Sequence, residues 1–215
     1  MIKLYGTTIS NYYNAAKLAL TEKGIEFEDV AVFPGRDPDV VSKSPMGKVP
    51  YIDVDDKPLS ETNVIFDYLE DIKPEPSLYP SDPWNRAKTK EIIRVAENYL
   101  DLPARKLIAS VYFGAPVDQA VADAVRPEVE FGCQALAQLA SFSPYVAGDQ
   151  FTFADIATYF HSRFANLHMT RICNWDIGEA IPGWNDYISM LQERPTIAEI
   201  DGIMQRDFEA FLSSK

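Results

Sequence analysis

Two segments of the chain carry residue types whose spacing suits an extended ligand with amides and an amino-acid end. The first is Ser44-Pro45-Met46-Gly47-Lys48-Val49-Pro50-Tyr51-Ile52. A proline at the mouth of a strand has no N–H to give to the ladder. With a cis Val49–Pro50 bond, the backbone of Val49 would turn outward, and its N–H and C=O could pair with an extended peptide as in strand addition. Taken alone, Gly-Lys-Val-Pro is better read as a plain loop. The second segment is Leu59-Ser60-Glu61-Thr62-Asn63-Val64-Ile65. Here a polar pair opens an apolar-periodic helix. The open N–H groups and partial positive charge of a helix N-terminus suit a ligand carboxylate. The Thr62 hydroxyl could add a hydrogen bond, and Glu61 could take an ammonium group. Simple capping by Ser60 or Thr62 accounts for the same residue types.

The elements that must position these segments can be read from periodicity. Ile2 to Tyr5 alternates like a short strand and stops at Gly6. Tyr12 to Lys23 has helical spacing and stops at Gly24. Phe27 to Val32 reads as a second strand, so strand, helix and strand suggest a βαβ unit with a parallel pair. A loop and a short helix ending near Ser44 follow. Val49 to Val54 and Lys57 to Leu59 form a hairpin about Asp55-Asp56. Thr62 to Ile72 is then a helix, with Val64, Ile65, Tyr68, Leu69 and Ile72 predicted on one face. The hairpin brings the two ligand-binding segments to one edge of one sheet.

Pro74, Pro76, Pro80 and Pro83 mark a linker, and everything after it reads helical. Asn85 to Phe113 is one long run with a kink expected at Pro103, and Val117 to Ala140 is another with a bend at Pro127. Phe153 to His168, Trp184 to Glu193 and Ile203 to Leu212 complete the set, with Trp184 expected to anchor its helix in the core. The net charge of −12 argues against nonspecific nucleic-acid binding, which needs a basic surface. No signal peptide or membrane helix is visible, so a cytoplasmic protein is expected. The two cysteines, Cys133 and Cys173, read as reduced structural thiols. His161 and His168 lie on one helical stretch with no third ligand apparent, so no metal is expected.

With Val49-Pro50 followed by Glu61-Thr62 in this arrangement, the sequence resembles the glutathione transferases. Their first domain carries a Val-Pro ligand clamp and then a Glu-Ser/Thr pair at a helix start. The resemblance covers nearly the whole chain, through the Pro-rich linker, the helical second half and Gly148-Asp149-Gln150-Phe151-Thr152-Phe153-Ala154-Asp155-Ile156-Ala157. In that last piece, Thr152 and Asp155 form a capping-box pattern and Phe151 is placed to staple against Ile156. Asp155 therefore reads as structural. The resemblance implies an α/β thioredoxin-like N-terminal domain (βαβ-α-ββα) over residues 1–75, a linker over 76–84 and an all-α helical domain over 85–215. It further implies glutathione as co-substrate, a small hydrophobic second substrate and a homodimer.

A thiol with a pKa near 8.5 is mostly protonated at neutral pH, and a hydrogen-bond donor or a helix N-terminus favours the thiolate. The family places that donor just after the first strand. Within the resemblance Ser10 occupies the position, and it also reads as a helix cap. Thr8, Asn11 and Tyr12 are alternates, with Thr7 and Tyr13 behind them. No cysteine lies in this loop, which weighs against thiol transfer through a mixed disulfide. Lys48, and more weakly Arg36, are candidates for the glycine carboxylate of glutathione. Tyr99, Tyr112 and Phe113 are candidates for an apolar substrate pocket. The expected function is conjugation of glutathione to a small apolar electrophile, with detoxification as the setting. The alternatives are a glutathione-dependent isomerase or peroxidase, or a non-enzymatic binding or regulatory relative.

Overall fold

The computed structural model describes residues 1–213. The chain divides into two compact units. The first is Met1–Leu78 with the segment from Arg194 onward, and the second is Tyr79–Glu193. The helical half expected from sequence runs to residue 215, and 214–215 lie outside the described residues.

The first unit begins β1 (Ile2–Gly6), α1 (Asn11–Glu22), β2 (Phe27–Ala31) and α2 (Pro38–Lys43). It continues β3 (Tyr51–Val54), β4 (Lys57–Ser60) and α3 (Thr62–Ile72). The sheet order is β2-β1-β3-β4, with β1 and β2 parallel and the other pairs antiparallel. This is the thioredoxin-like arrangement expected from the βαβ-α-ββα reading. Leu4 and Ile52 are fully buried on one face of the sheet, and Ala15, Ala16, Leu18 and Ala19 of α1 with Ile65, Phe66 and Leu69 of α3 are equally buried.

Two sequence expectations change here. The buried face of α3 is Thr62, Ile65, Phe66, Leu69 and Glu70, whereas Val64 and Ile72 are exposed. Hydropathy would not place Glu70 inward, yet Lys23 meets it at 2.7 Å and both are buried. β3 also starts at Tyr51, two residues after the expected Val49, because Pro50 cannot donate to a ladder.

The last helix, α10 (Pro195–Ser213), is longer than the expected Ile203 to Leu212 and packs on α1. Its N-terminal end is tied by Arg194 and Thr196 to Glu22, the final residue of α1. Periodicity shows that such a helix exists but not which unit it packs on, so the expected division at residue 85 places it with the helical half.

The second unit is built of helices: α4 (Pro83–Val95), a π-helical turn (Ala96–Asp101), α5 (Leu102–Ala104), a 3₁₀ turn (Arg105–Leu107), α6 (Ile108–Tyr112), α7 (Gln119–Leu139), α8 (Phe153–Cys173), a second 3₁₀ turn (Ile177–Glu179) and α9 (Trp184–Gln192). The expected single run from Asn85 to Phe113 is thus interrupted. Pro103 has no N–H to return to the carbonyl of Tyr99, and a π turn just before it absorbs the missing bond. Buried Asp101 at the end of that turn is held by Arg105 at 2.7 Å and His161 Nδ1 at 2.9 Å. Burial would raise its pKa, but the hydrogen bond and charge of His161 and the charge of Arg105 hold it below the ordinary carboxylate value. Trp184 is buried and donates its indole N–H to Ser162 Oγ at 2.8 Å.

α7 approaches the π turn closely. A Cβ added at Gly132 would lie 2.2 Å from the backbone oxygen of Tyr99. Helix propensity alone would make Gly132→Ala stabilising by about 1 kcal/mol. The clash is with backbone, which cannot rotate away, and overpacking of this kind costs about 1–3 kcal/mol. The expected result is net destabilisation of up to about 2 kcal/mol in urea unfolding. A gain in stability would show that the two helices can part freely.

Candidate functional site

Strand register assembles the site. Tyr5 of β1 lies opposite Tyr51 of β3, and Tyr51 lies opposite Ser60 of β4. The turn after β1, the Val49–Pro50 entry to β3 and the Glu61–Thr62 exit from β4 therefore leave the sheet at the same end. α1 and α3 both start there, and neither has an acidic side chain in its first turn. Two helix N-termini with partial positive charge thus converge on one spot, favourable for anionic groups.

The turn after β1 is closed by the Ser10 N–H donating to the Thr7 carbonyl at 2.9 Å. Ser10 has extended backbone and is the N-cap of α1, its Oγ accepting from the Tyr13 N–H at 3.4 Å. Capping uses a lone pair of the hydroxyl and leaves its proton to donate elsewhere. The neighbouring hydroxyls are differently placed. Thr8 donates to Asp207 Oδ2 at 2.7 Å. Tyr13 donates to Asp29 at 2.5 Å, and burial together with that bond and charge holds its phenol far above the ordinary range. Tyr5 stacks on Tyr51 at 4.6 Å within the sheet. Asn11 is buried at the first position of α1, and Tyr12 is half-buried beside it.

In the Ser44–Ile52 segment the Val49–Pro50 bond is cis. The N–H and C=O of Val49 enter no backbone hydrogen bond among the described residues. The loop before it is pinned at Gly47, whose φ is +63° and where a Cβ would meet the Gly35 oxygen at 2.1 Å. Lys48 and Arg36 are both exposed.

The Leu59–Ile65 segment is strained at Glu61. Glu61 has φ 73° and ψ 114°, a region that costs a non-glycine residue about 1–3 kcal/mol. Its carbonyl accepts the Ile65 N–H at 2.9 Å, but its side chain makes no capping bond. Thr62 is 5% exposed and its Oγ1 has no hydrogen-bond partner. An orphaned buried hydroxyl costs about 1–3 kcal/mol unless something satisfies it. Strain and an unsatisfied hydroxyl thus sit side by side at the start of α3.

Other residues singled out in the sequence lie in the second unit. Tyr99 and Phe113 are each 54% exposed, and Tyr112 stacks on His168 at 5.5 Å. His161 pairs with Asp101, and His168 Nδ1 meets the Phe164 carbonyl at 2.7 Å. Among the described residues no group of three or more His, Cys, Asp or Glu side chains is arranged to hold a metal ion. No helix among them is long and apolar enough to cross a membrane. Cys133 is buried and Cys173 half-buried, neither in a disulfide. Burial pushes the Cys133 thiol up to about 12, with the charge of Glu130 adding to the shift. Sequence reasoning missed Asp207, which reaches the β1–α1 turn from 199 residues away. No local signal could have found it.

The glutathione S-transferase N-terminal domain family matches residues 4–77. A glutathione S-transferase of Pseudomonas putida is 36% identical over 212 residues, which is 99% of this chain and 96% of the relative. A probable maleylacetoacetate isomerase of Drosophila melanogaster is 32% identical over 115 residues, 53% of this chain and 45% of its own. Among solved structures, a glutathione S-transferase of Methylobacterium radiotolerans in complex with glutathione sulfonate has a TM-score of 0.74 at 24% identity, covering 92% of this chain and 93% of its own. With a relative this similar across its whole length, a matching N-terminal domain and the same fold, the chain belongs to the glutathione S-transferase family of enzymes.

Proposed function

We propose that the protein binds glutathione at the end of the sheet described above and conjugates its thiol to a small apolar electrophile. In this reading the backbone of Val49 pairs with the extended tripeptide. The α3 N-terminus and the Thr62 hydroxyl take the α-carboxylate of the glutamyl end, and Glu61 takes its ammonium. Lys48 approaches the glycine carboxylate. Ser10 donates its hydroxyl proton to the sulfur, and the α1 N-terminus adds its partial charge. The thiol loses its proton to solvent, the sulfur forms a bond to the electrophilic carbon, and the leaving group departs. The observation that carries the reading is the convergence on one sheet end of an unpaired Val49 backbone, a strained Glu61 and an orphaned Thr62 hydroxyl. The glutathione sulfonate held by the Methylobacterium radiotolerans neighbour supports the ligand class. A homodimer working in the cytoplasm is part of the same proposal, on family grounds.

The test is calorimetric titration of glutathione into the wild type and Ser10→Ala, with thiolate absorbance of the bound ligand followed across pH. The wild type is expected to bind and to hold the thiol pKa below its free value. Ser10→Ala is expected to raise that pKa and to lower kcat by about 10²-fold, the usual loss for one donor to a developing anion, with affinity little changed. No binding by the wild type would end the proposal. Binding with an unmoved thiol pKa in Ser10→Ala would remove Ser10 from it.

A second reading has one observation in its favour, the similarity to the Drosophila isomerase over part of the chain. A glutathione-dependent isomerase would use the same thiolate and release glutathione unchanged. Product analysis separates the two: consumption of glutathione in proportion to product supports conjugation, and turnover without consumption supports isomerisation.

A further inference from the structure

The last helix, α10, makes a polar contact with the β1–α1 turn. Thr8 donates its hydroxyl proton to Asp207 Oδ2 at 2.7 Å. The carbonyl of the same Thr8 accepts from Asn14 Nδ2 at 2.7 Å. Thr8, inside the tight turn from Thr7 to Ser10, is therefore gripped on both its side chain and its backbone, from α10 and from α1. At the opposite end of α1, Glu22 takes Arg194 at 2.8 Å and Thr196 at the start of α10. α10 thus packs on α1 and is fastened beside each end of α1, and the fastening at Asp207 reaches Thr8, two residues from Ser10.

We propose that Asp207 is a positioning residue for the thiol-activating turn, acting through Thr8; this rests on the reading of Ser10 above. A turn is free to shift its side chains by an ångström unless something outside it holds them, and a misplacement of that size in a catalytic group is enough to slow a reaction severely. A hydrogen bond to a charged acceptor is among the stronger restraints available. The carboxylate itself is not the activator. Its negative charge would oppose a nearby thiolate, and that opposition is weakened by the Arg206 guanidinium at 3.4 Å and by partial exposure to solvent. Thr8, with its proton given to Asp207, is likewise not the donor to sulfur.

The experiment compares the wild type, Thr8→Val, Thr8→Ser, Asp207→Ala, Asp207→Asn, the Thr8→Val/Asp207→Ala double variant and Ser10→Ala. Each is assayed for kcat and KM with glutathione, for the pKa of the bound thiol and for its melting temperature. Thr8→Val and Asp207→Ala are each expected to lower kcat about tenfold and to raise the bound thiol pKa, with KM for glutathione nearly constant. The double variant should lose no more than either single one, because both remove the same restraint. Thr8→Ser keeps the hydroxyl and Asp207→Asn keeps an acceptor oxygen, so both should recover most of the activity. A purely structural role would not show that rescue together with a moved thiol pKa at unchanged KM.

The outcomes separate the inference from the reading beneath it. If Ser10→Ala shifts the thiol pKa while Thr8→Val and Asp207→Ala leave kcat and pKa alone, the positioning role is overturned and Ser10 stands. If the Thr8 and Asp207 variants behave as described but Ser10→Ala is inert, the turn is positioned as proposed and another of its groups is the donor. If Asp207→Asn is as damaged as Asp207→Ala, the charge rather than the hydrogen bond matters, and the proposal fails. Should Asp207→Ala unfold α10, Thr8→Val probes the same bond from the other side without touching that helix.

Discussion

Asp155→Ala is expected to lower the stability of the helical unit by about 3–5 kcal/mol, and Asp155→Asn is expected to rescue little of it. Asp155 is fully buried, three residues into the capping box that opens α8. One carboxylate oxygen accepts from the Val146 N–H at 2.8 Å and the Tyr187 hydroxyl at 3.0 Å. The other accepts from the Thr152 N–H at 2.8 Å and the Thr152 hydroxyl at 3.1 Å. Alanine would leave these buried donors without an acceptor, each at a penalty of about 1–3 kcal/mol before relaxation. Loss of the cap adds about 1 kcal/mol. Asparagine fails for a geometric reason. Both oxygens face a backbone N–H that cannot rotate, so either orientation of the amide sets its NH₂ against a donor. Thermal melting checks this, with a fall in Tm of about 10 °C or more expected for alanine. Recovery of wild-type Tm by asparagine would show that one of the two backbone donors is dispensable.

Lys23→Met is expected to destabilise the N-terminal unit by about 3–5 kcal/mol, more than the double variant Lys23→Met/Glu70→Met. Lys23 is fully buried, with Nζ 2.7 Å from Glu70 and 2.8 Å from the Pro76 carbonyl. Glu70 also accepts from Ser77 Oγ at 2.7 Å and the Leu78 N–H at 3.2 Å. The pair thereby fastens the proline-rich stretch after α3 onto the end of α1. Removing the lysine alone strands a carboxylate in the core, whereas removing both charges strands only neutral groups. Urea unfolding of the two variants decides it: equal stabilities would mean that the carboxylate reaches water when its partner is gone.

Burial by itself would raise the pKa of Glu70, but Lys23, Ser77 and the Leu78 N–H outweigh it and hold the value below the ordinary one. A folded-state pKa below the unfolded value gives stability that is complete above the unfolded glutamate pKa of about 4.3. That contribution is lost as pH falls from there through the folded value. Wild-type stability should therefore decline more steeply below pH 4 than that of the double variant, which has no carboxylate at this position.

The parts of this protein that depend on neighbours along the chain were legible from its residues. Val-Pro before one strand of a hairpin and Glu-Thr after the other are separated by the hairpin alone, so strand pairing must bring them together. The Thr152–Asp155 cap spans a single helical turn, and its hydrogen bonds form within the motif. The Pro-rich stretch cannot be helix or central strand, because proline lacks the donor that both require. These local constraints decided the thioredoxin-like order, the helical second half and the candidate clamp.

Contacts between residues remote in sequence were decided only when the chain packed. Hydropathy could not turn Glu70 inward, because what allows it is a lysine just past the end of α1. It could not choose among the hydroxyls after β1 either. The tertiary structure gives Thr8 to Asp207 and Tyr13 to Asp29, whereas the Ser10 hydroxyl accepts from the Tyr13 N–H. Nor could periodicity assign α10 to the first unit, since an amphipathic helix shows that it has a face to bury but not which surface will cover it. The partners of Thr8, Tyr13 and Glu70 thus come from distant parts of the chain, and such pairings leave no trace in local residue spacing.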